Sequence, residues 1–377
     1  MNDKIRKNEN RRNIALDSAR GLAIIIIVIY HLVYKKQNGF FDNMVRESGW
    51  CIVPFFFAIT GYFHDPQKRN IKETIIYREK ALLIPTIRVT LIAFLLLGIY
   101  CVIFHGYTAP ELFRDFVYTY LRPEISSKLI PDLSDPGMIF YYISAVWFIW
   151  TMAWSLLLFI PLAAFVSDDT KKNLICCLGL IIINIPLYLI FPKSPWNLAH
   201  VPVYTAIMLF GMLLRNTDLR ERLNSLKPLA VVCITAAAVI LHVLLYKYCG
   251  TDAMFDGVLG TKGWISVPVF FIQTFIGSIV LITLGRLISH TDRPAAFFSY
   301  TGKNSFFVLL LHLPFGLVYT DLLHNYHKLG TSYWYLELAG IELTPVIIVK
   351  SVIIAALSVL SSLCAALLRD HLSKKKK

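Results

Sequence analysis

Arg20 and His31 stand eleven residues apart in a stretch that carries no other charge between them. On a helix, with ~100° and ~1.5 Å per residue, their directions differ by only ~20° while their heights differ by ~16 Å. Asp17 precedes Arg20 by about one turn and falls on the same side. One helical stripe therefore presents a carboxylate, a guanidinium and, much deeper, an imidazole. A guanidinium holds a phosphate through paired charge-assisted hydrogen bonds, and an imidazole in a restricted polar cavity takes a proton from a hydroxyl near neutral pH. The plainer reading of His31 is a histidine hydrogen-bonded to a neighbouring helix for packing. Its alignment with Arg20 and Asp17 weighs against that.

A second basic group lies in Tyr77-Arg78-Glu79-Lys80-Ala81-Leu82-Leu83-Ile84-Pro85, where Arg78 and Lys80 stand at the mouth of an apolar run. Ordinary anchoring at a membrane surface accounts for Lys68, Arg69 and Lys72. It accounts poorly for Arg88, which follows seven uncharged residues and must either snorkel back or meet an anionic ligand. Further on, Ser299-Tyr300-Thr301-Gly302-Lys303-Asn304-Ser305 opens another apolar run, and His312 follows Ser305 by seven residues, near the same helical face. Gly302 and Ser305 suit close helix packing. Trp147 and Trp150 read as interface or core aromatics.

The elements that must position these groups follow from composition. Of 377 residues, 56% are apolar and only 16% charged, with mean hydropathy +0.59, which excludes an ordinary water-soluble enzyme. We read ten apolar stretches: Arg20–Tyr34, Trp50–Phe63, Ala81–Phe104, Met138–Val166, Leu174–Ile190, Val201–Leu214, Pro228–Tyr246, Trp264–Leu287, Phe298–Leu322 and Leu343–Leu368. The expected fold is all-α: a polytopic integral membrane protein of about ten transmembrane helices. A β-barrel is excluded, because its strands would alternate with period two. With the amino terminus placed in the cytoplasm, every inside segment is basic and an even count returns the tail to the same side, so both termini are expected to be cytoplasmic. Residues 1–19 then form a basic cytoplasmic segment, 20–368 the membrane domain and 369–377 a Lys-rich cytoplasmic tail.

The formal charge of +13 fits loops held against anionic lipid rather than a nucleic-acid partner. A cleaved leader is not expected, because no small-x-small site follows the first apolar run and Lys35–Lys36 comes directly after it. The seven cysteines have no metal-type spacing, and no metal site is expected.

At these residues the chain resembles the integral-membrane acyltransferase-3 family, bacterial transmembrane O-acyltransferases that decorate surface glycans. The likeness is carried by Asp17-x-x-Arg20-Gly21 with ten residues between Arg20 and His31, and by Pro54-Phe55-Phe56-Phe57-Ala58-Ile59-Thr60-Gly61-Tyr62. It continues through the basic run before Leu82-Leu83-Ile84-Pro85, Val146-Trp147-Phe148, and Gly302-Lys303-Asn304-Ser305 followed by His312. The motifs stand in the family's order across most of the chain.

The resemblance implies a ten-helix enzyme of the cell membrane that takes an acyl group, in the first instance acetyl, from cytoplasmic acyl-CoA to a hydroxyl of a glycan or lipid-linked sugar. It implies a donor site at Arg20, Arg78, Lys80 and Arg88, catalysis by His31 as general base or acyl carrier with Asp17 balancing Arg20, and substrate contacts at Trp147, Ser305 and His312. Two motifs depart from the family pattern. Position 81 is Ala where the family often has the second arginine of Arg-x-x-Arg, and Ser-Gly-Phe is replaced by Thr60-Gly61-Tyr62. The competing class is a transporter or flippase for a lipid-linked glycan, which neither paired half-helices nor repeated halves favour.

Overall fold

A computed structural model describes residues 13–32, 52–67, 70–106, 108–110, 112–113, 147–191, 195–215, 225–249, 265–324 and 345–374. Among the described residues no strand occurs. The helices are α1 (Ile14–Leu32), α2 (Ile52–Tyr62), α3 (Ile71–His105), α4 (Trp147–Val166), α5 (Thr170–Ile190) and α6 (Val201–Arg215). They continue as α7 (Pro228–Cys249), α8 (Ser266–Ser289), α9 (Asp292–Lys303), α10 (Ser305–His324) and α11 (Pro345–Lys374). Among the described residues seven stretches are long and apolar enough to cross a bilayer, namely α3, α4, α5, α6 together with the 3-10 turn that leads into it (Asn197–Arg215), α7, α8 and α11, and α2 and α10 contain shorter apolar segments. The chain is a multi-pass membrane protein.

The helix ends correct the expected spans where it matters for chemistry. The first was expected from Arg20, but α1 starts at Ile14, because the Asn13 side chain accepts from the Ala15 and Leu16 N–H groups at 3.1 and 3.2 Å. Asp17 and Arg20 are therefore helical and hold the register with His31. The third was expected from Ala81, but α3 begins at Ile71, where Asn70 caps the Glu73 N–H at 2.8 Å. Its 35 residues extend ~52 Å, well beyond ~30 Å of hydrocarbon, so Arg78 and Lys80 ride on the helix rather than on a loop before it.

The ninth stretch is not one helix. At Asn304 the backbone leaves α-helical geometry (φ −103°, ψ 15°) and α9 ends. The Asn304 carbonyl then accepts the Phe307 and Val308 N–H groups at 2.8 and 2.9 Å, starting α10. Arg369 of α11 donates to Asn304 Oδ1 at 3.0 Å and holds this joint from outside.

α1 lies against α8, α9, α10 and α11 at once. Two apolar clusters form the core. One gathers Ile24, Val28 and Leu32 of α1 with Val308 and Leu313 of α10; the other gathers Phe159 of α4, Tyr188 of α5, Met208 of α6 and Phe270 of α8. α2 feeds both, with Phe55 and Ile59 in the first and Phe57 and Ala58 in the second. Outward, α3 exposes Leu91, Leu95 and Ile99 and α5 exposes Ile175, Leu178 and Ile182, stripes whose natural solvent is lipid.

Candidate active site

A cavity of about 300 Å³ opens between α1, α2, α3, α4 and α10. α1 lines it with Arg20, Ile24 and Ile27, and the same stripe reaches His31 four residues later. α10 lines it with Ser305, Phe306 and Leu309, and His312 follows by three residues. The two imidazoles meet where these stripes end: the His31 and His312 ring centroids are 5.5 Å apart, with their planes tilted by 36°. His31 is half-buried and points into the bundle, and His312 is fully buried.

At the other end Arg20 is held twice. Its Nη2 donates to Ser305 Oγ at 3.2 Å, and its Nη1 lies 3.6 Å from Asp17 Oδ1. Eleven residues of α1 rise ~16 Å but seven of α10 only ~10 Å; the long Arg20 side chain spans the difference. Arg78 of α3 supplies a second guanidinium to the lining, and Ala81 follows it one turn later. Pro85 lies inside α3 four residues after Ala81 and has no N–H to offer the Ala81 carbonyl.

The expected donor residues are thus divided. Arg20 and Arg78 line one cavity, whereas Lys80 is exposed and outside the lining. Arg88 is exposed among Ile84, Ile87, Leu91 and Ile92 on the outer face of α3, away from the cavity, so its charge must reach back along that face. The Trp147 side chain lies outside the described residues; the next residue, Phe148, lines the cavity with Met152 and Leu156 at helical spacing. Ser305 and His312 both come to α1: Ser305 lines the cavity and accepts from Arg20, whereas His312 meets His31 further along the two helices, where neither imidazole is part of the cavity lining.

The basic end is reinforced by the turn after α2. His64 is buried there, its carbonyl accepts from Arg215 Nη1, and Asp65 Oδ2 lies 3.8 Å from Arg215 Nη2. Burial, helped by the Arg78 and Arg215 charges, pushes the His64 pKa down to about 4, so this ring adds no charge near neutrality. Among the described residues, no three His, Cys, Asp or Glu side chains stand where they could hold a metal ion.

Two features had no clear mark in the sequence: the contact of His31 with His312, and the part of Thr60, Phe56 and Met152 in the lining. The first was open to inference only by matching the Arg20–His31 and Ser305–His312 spacings on two parallel helices.

A family model for an acyltransferase domain, Acyl_transf_3, matches residues 13–368, from the cap of α1 to within α11. The chain belongs to the acyltransferase-3 family. Comparison with curated proteins gives no match, and comparison with solved structures gives none. In this acyltransferase the matched region includes every residue that lines the cavity.

Proposed function

We propose that this acyltransferase is a membrane O-acyltransferase that moves an acyl group, in the first instance acetyl, from cytoplasmic acyl-CoA to a hydroxyl of a surface glycan or lipid-linked sugar. The observation that carries the reading is the cavity itself, with two guanidinium groups in its lining and His31 one turn beyond Ile27 on the α1 stripe that lines it. Its volume is at the small end for ligand sites. It suits the extended arm and acyl group of a thioester, with the phosphates left at the mouth on Arg20 and Arg78. The positive-inside pattern supports a mouth that faces the cytoplasm with both termini on that side, and the proposed location is the cell membrane.

In this mechanism His31 removes the proton from an acceptor hydroxyl that approaches from the far side. The hydroxyl oxygen attacks the thioester carbonyl, the C–S bond breaks as the C–O bond is completed, and the proton leaves on the thiol. Asp17 and Ser305 hold Arg20 at the phosphate position. A transient acyl group on His31 is the other route open to the same residue. Lys80 and Arg88, outside the cavity, are left to guide an anionic donor to its mouth. Trp147 remains a candidate contact for the acceptor.

Mass spectrometry of surface glycans tests the reading. Cells with the intact gene are expected to carry one additional acyl mass per modified sugar; cells without it, or with His31→Ala, lose that mass. Identical glycan masses in all three strains contradict it.

A further inference from the structure

The geometry points to His312 as a positioning residue that fixes the tautomer of His31, so that the two imidazoles work as a dyad. His312 Nδ1 lies 2.8 Å from the Leu309 carbonyl and 3.1 Å from the Val308 carbonyl, one turn back on its own helix. A carbonyl only accepts, so Nδ1 carries the hydrogen and, in the neutral ring, Nε2 carries the lone pair. That Nε2 is buried, with no hydrogen-bond partner among the described residues. A buried acceptor left in this way costs free energy unless a donor reaches it. The ring beside it is His31, at 5.5 Å between centroids. A head-on N–H···N bond of ~2.9 Å sets two imidazole centroids about 5 Å apart, so a small rotation of one ring closes the bond.

The backbone of α10 thereby writes a tautomer onto His312, and His312 passes it to His31. With one His31 nitrogen donating to His312 Nε2, the other must hold a lone pair, which is the form a general base needs. When His31 takes the hydroxyl proton it becomes an imidazolium, still donating to His312. That proton then goes to the leaving thiolate, and both rings return to their starting state. His312 gains no proton in the cycle. It acts through His31, in the way an orienting group acts on a catalytic histidine.

This inference rests on His31 being the base, so its test has a readout independent of turnover. The full chain, labelled with ¹⁵N-histidine in lipid nanodiscs, is expected to give His312 protonated at Nδ1 and His31 in a single tautomer. His312→Phe should leave His31 in a mixture of both forms. His312→Gln, whose Oε1 stands near the place of Nε2, should restore one form. In acyl-transfer assays with acetyl-CoA, His312→Phe should lower kcat by about 100-fold with donor KM unchanged, and His312→Gln should recover to within about fivefold of wild type. A His312 ring protonated at Nε2 alone, or a His31 tautomer indifferent to His312→Phe, overturns the dyad. If wild type and variants alike transfer nothing, the enzymatic reading of His31 falls, while the tautomer spectra still decide the pairing.

Discussion

Gly21 of α1 and Gly302 of α9 meet backbone to backbone. A Cβ built on Gly302 would stand 1.8 Å from the Asp17 carbonyl oxygen, and one on Gly21 would stand 2.0 Å from that of Phe298. This crossing lets α9 come close enough for the Asn304 joint to deliver Ser305 to Arg20. Gly302→Ala must force the two helices apart, at a cost of about 3 kcal/mol. Its melting temperature in detergent should fall clearly below wild type. Gly179→Ala, on α5 where an added Cβ meets nothing within 4 Å, should melt with wild type or slightly above it. Equal melting of the two variants would contradict the crossing.

Acid should weaken the basic end through His64. Burial, with the Arg78 and Arg215 charges, lowers its pKa from the ordinary 6.5 to about 4 in the folded chain. Between those values the unfolded chain binds a proton that the folded chain refuses. The stabilisation is therefore complete above about pH 6.5 and is lost progressively as pH falls towards 4. The melting temperature should drop between pH 7 and pH 5, with a shallower slope in His64→Phe. An unchanged slope would remove His64 from the account.

Ala81 stands in the cavity wall one turn from Arg78, so a longer cation placed there would enter the space where the donor is proposed to bind. Ala81→Arg should tighten an anionic donor, with acetyl-CoA KM lowered by about tenfold, as expected of an added charge-assisted hydrogen bond. Ala81→Phe, which fills the same space without charge, should raise that KM by a similar factor or more. Two variants with wild-type KM would place the donor elsewhere.

The sequence reading reached the helices and much of the site because both rest on short-range rules. The apolar runs mark where a backbone can lie in lipid, and the spacing of Arg20, Ile24, Ile27 and His31 places them on one stripe, of which Arg20, Ile24 and Ile27 line the cavity while His31 lies beyond it. What it could not reach was set by partners distant in the chain. Arg88 looked suspicious because a charge in an apolar run is unusual, yet which way it faces depends on what packs against α3, and its side turned out to be the exposed one. The break at Asn304 depends on three carbonyls of α9 and on Arg369 of α11, more than sixty residues away. The contact between His31 and His312 depends on two helices lying in parallel at one register, which no local pattern specifies.

The proposed mechanism stands on His31, one turn beyond the cavity lining on the same stripe of α1, as the group that takes the proton. The direct test is acyl transfer from acetyl-CoA by the purified full chain, followed as release of free thiol with a panel of glycan acceptors, for wild type and His31→Ala. Wild type should release thiol in step with acylated product. His31→Ala should lose at least about 100-fold in kcat while still binding the donor. Wild-type turnover by His31→Ala would contradict the account.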